Sequence, residues 1–250
     1  NYSKKLLVPE NINFTVNGEK VISKHIHKSF TATLPTEIQE DGFMKRTKRK
    51  TQVNIMLAEP KLYEMGLPIM DIDCKYGIDV QQKVPLSYDR DSVSQAFLKE
   101  LYVQVLNNIY EDLEPENASD SWIRLAMSGE VSKEAVDHIL KDRYGDKFVV
   151  ANPFDERSVD EAISQGYRVI TGNEMSKEEW ANIKKYDLMP SSSDLFGTNF
   201  VNAPVVEPDE NQRKVADFCK RIAKRLMEID IAVSFVKGGH NMVVAQYGNR

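Results

Sequence analysis

The chain has 250 residues, 41% of them hydrophobic and 28% charged, with a formal net charge of −5. That length supports two compact units rather than one, and the acidic balance excludes a general attraction to nucleic acid or to membrane surfaces, so any such attraction has to be local. No apolar run approaches the roughly 20 residues of a helical span, and two distant cysteines outside any metal-ligand spacing, Cys74 and Cys219, point to free thiols in a reducing cytoplasm.

Residues 5 to 80 read mainly as strands. Leu6-Leu7-Val8 and Ile12 to Val16 lead to Asn17-Gly18, a strong hairpin signal, and Val21-Ile22 resume the pattern. Phe30 to Leu34 and Gln52 to Leu57 are two further predicted strands, separated by a polar stretch containing Asp41-Gly42 and then a basic run. Tyr76 to Val80 makes another. Ser92 followed by Gln95 has the form of a capping box, and Leu98, Leu101, Tyr102, Val105, Ile109 and Leu113 recur at helical spacing, which predicts a long helix over 93–113. Glu114-Pro115-Glu116-Asn117 breaks it and places the first boundary at residue 116.

Beyond residue 117 the rhythm changes. Ser132 caps a helix that runs to Tyr144 and is ended by Gly145; Phe148 to Ala151 is a buried-type strand; Asp155 opens a helix that closes at Gly166. Tyr167 to Thr171 is a strand, and Ser176 with Glu179 is a full capping box opening a helix to Tyr186. Strand, helix, strand, helix with short links predicts a small parallel α/β region over 117–190. Residues 187 to 208, rich in Ser, Asn and Pro, read as a long linker or arm. A basic amphipathic helix from Glu210 to Ile229, a strand from Ile231 to Val236, a turn at Gly238-Gly239 and a strand from Val243 to Arg250 complete the third segment, 191–250. The first residue is not methionine and the last expected strand stops without a turn, so a longer parent protein is the expectation.

Complete catalytic constellations are missing from the sequence. His25, His27, His138 and His240 share no zinc-site spacing, and the first two alternate as on one strand face. Asp71, Asp73, Gly77 and Asp79 miss the calcium-loop pattern, because the glycine is one position late and Gln82 stands where a bidentate glutamate belongs. No nucleophile elbow or phosphate-binding glycine loop occurs. Two features remain. Lys45, Arg46, Lys48, Arg49 and Lys50 put five cations into six positions; at a hairpin tip they would form a phosphate-binding patch for nucleic acid, and on a solvated strand they would protect an edge. Gln81-Gln82-Lys83 ends a strand before a proline-containing loop and the long helix, which fixes a lysine where it can meet a phosphate.

A strand, a polar loop with a lysine and a long helix in that order resemble the transducer domain of the GHKL ATPases, the class that holds DNA gyrase, MutL and the ninety-kilodalton heat-shock chaperones. The Gln81-Gln82-Lys83 spacing matches the Gln-x-Lys element of gyrase. Leu7-Val8-Pro9-Glu10, Thr15-Val16-Asn17-Gly18-Glu19, Thr33-Leu34-Pro35-Thr36-Glu37, Tyr63-Glu64-Met65-Gly66, Gln82-Lys83-Val84-Pro85-Leu86, Gln165-Gly166-Tyr167-Arg168-Val169 and Ser176-Lys177-Glu178-Glu179-Trp180 are similar to phage and bacterial relatives of the rapid-lysis A protein, so the likeness covers nearly the whole chain. The superfamily's ATP-site asparagine, Asp-x-Gly-x-Gly element and glycine-rich lid do not occur in these residues.

The resemblance implies a ribosomal-S5-like βαβ transducer over 1–116, followed by the small parallel α/β region, in a mixed α+β and α/β fold. It implies that Lys83, Gln82, Gln81 and Arg90 sense nucleotide, that Mg-ATP is bound by the parent rather than by this chain, and that the chain couples nucleotide state to downstream partners. The N-terminal ATPase domain of the parent is the expected partner. A homodimer and nucleic acid are further expected associations, a membrane is not, and the setting is the cytoplasm of a bacterial or phage-infected cell. The alternatives are a nucleic-acid-binding or interaction protein using residues 45–50, and a hydrolase completed by residues beyond Arg250.

Overall fold

The computed structural model describes residues 5–8, 11–23, 25–87, 92–197, 206–227 and 231–235. Strands β1 (Thr15–Val16) and β2 (Glu19–Lys20) form the predicted hairpin, with Asn17 at φ 53° and Gly18 at φ 83°, the left-handed pair that a two-residue turn needs. A five-stranded sheet follows, built from β3 (Ile26–Glu40), β4 (Phe43–Met56), β5 (Lys61–Glu64), β6 (Leu67–Asp71) and β7 (Gly77–Val80). Its order is β3-β4-β7-β5-β6, antiparallel throughout except for the β5–β7 pair. Helices α1 (Gln95–Ile109), α2 (Ser121–Met127) and α3 (Lys133–Tyr144) come next, then β8 (Phe148–Val150), α4 (Glu156–Ser164), β9 (Arg168–Ile170), α5 (Lys177–Tyr186), α6 (Ser192–Phe196) and α7 (Glu210–Met227). The fold is therefore mixed α+β, a mostly antiparallel sheet followed by helices with small parallel pairings. Among the described residues no helix is long and apolar enough to cross a membrane.

Two compact units divide the described residues. One comprises those within Asn1–Phe148 and Ile170–Met189, the other those within Val149–Val169 and Pro190–Arg250. In the first, β7 is buried on both faces, as the central strand of a covered sheet must be. Ile78 and Val80 project to the same side as Val53 and Ile55 of β4, and all four are fully buried. Helix α1 contacts β3 and α2, which explains why its buried positions, Phe97, Leu98, Leu101, Tyr102, Val103, Val105, Leu106 and Ile109, wrap more than one face. The buried cluster runs from Ala32 through Trp122, Ile139 and Ile183, so packing is continuous across residues 116 and 117. The second unit contains α4 and α6, and in it Val150 pairs in parallel with Ser191.

Several expectations are corrected. The two short strands expected around 30–34 and 52–57 are 15 and 14 residues long and pair from Ile26–Met56 to Glu40–Phe43. Backbone pairing does not need apolar side chains, and Asp41-Gly42, at φ 51° and 83°, closes the ribbon in two residues. The basic run thus lies along β4 and not at a tip. Among the described residues all five strands of the sheet precede α1, and after α1 the chain turns into 3-10 turns and α2, so no helix crosses between two strands of this sheet as in the expected βαβ unit. Helix α1 is capped by Ser94, whose Oγ accepts the Phe97 N–H at 3.2 Å, and not by Ser92. Val93 bridges Leu86 and the Ser92 carbonyl accepts the Ser87 N–H at 2.8 Å, which holds 92–93 extended. Leu6 to Val8 is not a strand, although the Leu7 N–H donates to the Gly66 carbonyl at 2.9 Å, and β3 begins at Ile26, so of the two early histidines only His27 is in it.

The Ser-rich stretch expected as a linker contains α6. Ser191 and Asp194 form a second capping box, while Ser192 and Ser193 bond to Ser158, Asn152 and Asp155. Residues 231–235 carry no strand; the Val206 N–H donates to the Phe235 carbonyl at 2.8 Å. The expected turn at Gly238-Gly239 and the strand from Val243 to Arg250 lie outside the described residues.

Candidate functional site

The end of β7 is the best-positioned segment among the sequence-predicted site residues. Gln81 extends the pairing with β4 through its N–H to the Gln52 carbonyl at 2.9 Å, and its side-chain amide donates to Asp79. Asp79 is buried and also accepts the Gly66 N–H at 2.9 Å; burial pushes its carboxyl above the ordinary aspartate value. Gln82 donates through Nε2 to the carbonyls of Leu34 at 3.1 Å and Pro35 at 3.3 Å. The Lys83 carbonyl accepts from Thr36 Oγ1 at 2.7 Å, and the Val84 N–H donates to Glu64 Oε2 at 2.7 Å. The backbone of 81–84 is therefore tied to β3 on one side and to β5 on the other. Gln81 and Gln82 spend their side chains on this framework; the ammonium of Lys83 does not take part in it.

That ammonium reaches Glu37. Lys83 Nζ lies 3.7 Å from Glu37 Oε2, with the lysine side chain 46% exposed. Arg46 Nε lies 3.3 Å from the other oxygen of the same carboxylate. The two features that the sequence offered separately, a lysine after a central strand and a basic run, thus meet at one glutamate. Glu37 was missed because nothing marks it locally, yet a two-residue turn at Asp41-Gly42 sets Glu40 opposite Phe43 and, by counting back, Glu37 opposite Arg46.

The rest of the basic run is mostly committed. Lys45 pairs with Glu40 at 2.9 Å and Lys48 with Glu100 of α1 at 2.7 Å. Arg49 and Lys50 have no ion pair among the described residues. Arg90 lies outside the described residues; among its described neighbours in sequence, Leu86 bridges Val93 and Ser87 Oγ donates to the Ser92 carbonyl at 2.9 Å.

Comparison with family models, with curated proteins and with solved structures returns no match to this chain. Its chemistry is therefore read from its own groups. Among the described residues no three His, Cys, Asp or Glu side chains stand close enough to hold a metal ion. Cys74 is buried and its thiol is pushed up to about 12 by desolvation, which leaves it unreactive; Cys219 is exposed, and both are free. His27 lies 3.5 Å from Asp112 and stacks on Tyr76, and His138 lies 3.5 Å from Asp142, so both have structural neighbours. The tied backbone of 81–84 presents Lys83 Nζ to the same Glu37 carboxylate that Arg46 Nε faces.

Proposed function

We propose that this chain is a coupling module of a GHKL-type ATPase, of the kind related to the phage rapid-lysis A protein, in which Lys83 reads the terminal phosphate of a nucleotide held by an ATP-binding domain. One observation carries this reading: the lysine follows the central buried strand, its backbone is tied on both sides, and its side chain is half exposed with one long ion pair among the described residues. A preorganised ammonium of that sort makes a charge-assisted contact with ATP that ADP cannot offer, which is a difference in affinity between two states and hence a signal. The transducer-like assignment of the sheet belongs to this proposal and rests on Lys83, since the strand order does not supply the expected βαβ unit.

Mg-ATP on this reading is held by the ATPase domain, and this chain supplies one contact to it. That contact is worth at most a few kcal/mol, against the roughly 8 kcal/mol of micromolar binding. Calorimetry with the 250-residue chain is therefore expected to show no micromolar Mg-ATP binding. In the assembled ATPase, Lys83→Ala should leave ADP affinity unchanged and weaken ATP-driven closure or turnover tenfold or more, about 1.4 kcal/mol. An ATP response that survives this substitution and is lost with Arg90→Ala would move the role to the neighbouring loop; one that survives both would remove the reading.

A further inference from the structure

The ion pairs around β4 differ in tightness. Lys48 with Glu100 at 2.7 Å and Lys45 with Glu40 at 2.9 Å are at the optimum for an ammonium on a carboxylate. Lys83 and Arg46 stand off from Glu37 at 3.7 and 3.3 Å. Glu37 is the most buried member of this trio, its side chain 19% exposed and its strand tied to Lys83 through the neighbouring Thr36, whereas the Arg46 side chain is 80% exposed. One carboxylate bridging two loosely held cations is the arrangement that a phosphoryl group, with more charge and more oxygens, would replace.

We propose that Arg46 and Lys83 together form a two-cation phosphate site and that Glu37 is its resident counter-ion, which an incoming phosphate displaces. This rests on the coupling function proposed above and adds two residues to it. Arg46 brings a planar fork suited to two phosphate oxygens, while Lys83 brings a point charge on a fixed backbone. Glu37 keeps the two cations from repelling each other when no phosphate is present. It also sets a threshold, because only a ligand more anionic than a carboxylate gains by the exchange. A diphosphate or triphosphate end meets that condition, and a carboxylate metabolite does not.

The test uses the 250-residue chain titrated with pyrophosphate, read by NMR of the Lys83 Nζ and Arg46 Nε resonances. Thermal unfolding serves as the control that each variant folds. Glu37→Gln keeps the shape and removes the competing charge; it should bind pyrophosphate at least about fivefold more tightly than the parent, the factor corresponding to the upper end of an exposed ion pair. Arg46→Gln or Lys83→Gln placed on Glu37→Gln should each return the affinity to the parent level or below, and acetate should shift neither resonance. A folded Glu37→Gln variant that binds no tighter than the parent, or that binds equally well without Arg46, overturns the proposal. If that happens while Lys83→Ala still abolishes the ATP response of the assembled ATPase, the coupling function stands and only the two-cation site falls. If the pyrophosphate results are as expected and the ATP response is indifferent to Lys83, the phosphate site stands and the coupling function falls.

Discussion

Glu179 shows how much one side chain is asked to do in this molecule. Its Oε2 accepts the Ser176 N–H at 2.9 Å, completing the capping box of α5, and its Oε1 accepts from Arg143 Nη1 at 3.0 Å. Both side chains of this pair are 2% exposed. Arg143 also donates through Nε to the Ala118 carbonyl at 2.6 Å, so a single guanidinium joins α3, the 3-10 turn before α2 and the start of α5. A buried pair of this kind adds little over an apolar substitute, but removing one partner leaves a buried charge uncompensated and costs about 3–5 kcal/mol. Glu179→Ala should therefore lower the unfolding free energy by that amount, read as a lower urea midpoint at unchanged m. Glu179→Gln, which can still cap Ser176, should cost less. Replacing Arg143 by Met together with Glu179 by Gln should recover most of the loss. A cost below about 1 kcal/mol for the alanine variant would show that the arginine finds other partners.

At the scale of elements, the ribbon of β3 and β4 is the unusual feature. Strand β4 pairs with β7 only over Val53–Met56, so from Phe43 to Thr51 its described neighbour is β3 alone. Two-stranded ribbons are marginal in water, and this one relies on its tight turn and on cross-strand charge pairs such as Glu37 with Arg46. The cations along an open edge strand also guard it against pairing with another chain. Three of the five sit in ion pairs, which leaves Arg49 and Lys50 to meet a polyanion. Binding to duplex DNA should accordingly be weak, with a slope of log K against log salt near −2 in fluorescence anisotropy. Replacing Arg49 and Lys50 with Gln should abolish it. A slope near −5 would mean that the ion pairs open on contact and that the run is a nucleic-acid interface after all.

At the scale of the whole molecule, the sheet-bearing unit is interrupted in sequence by residues 149–169 and then recovers Ile170–Met189. The returning segment brings Ile170 at 0%, Ile183 at 2% and Met175 at 6% exposure into the buried cluster, together with the glutamate that neutralises Arg143. Each apolar side chain is worth about 1.5–3 kcal/mol, and an orphaned Arg143 costs a further 3–5 kcal/mol or so. These losses rival the 5–15 kcal/mol or so by which a domain is stable. A fragment of residues 1–148 should thus lose cooperative thermal unfolding, and one of residues 1–189 should retain it. Equal, sharp transitions for both fragments would show that α5 is peripheral.

What the sequence determined by itself is the set of features settled within one turn of chain. Asn17-Gly18, Ser132 with Gly145, Asp155 with Gly166, and Ser176 with Glu179 each act through hydrogen bonds or φ values confined to a few neighbouring residues, and each is found where the pattern predicts it. Lys83 and the basic run were legible as cations for the same reason. The tertiary structure decided the choice of distant partners, for which sequence offers no local signal. It placed β7 between β4 and β5, extended the ribbon through polar residues, kept Val93 extended beside Leu86 so that Ser94 became the cap, and set Glu179 against Arg143. It also brought Lys83 to Glu37, and so to Arg46, from the far end of a separate stretch of chain. Charges on a strand are free to pair along it, across it or beyond it, and only the packed neighbours determine which of these occurs.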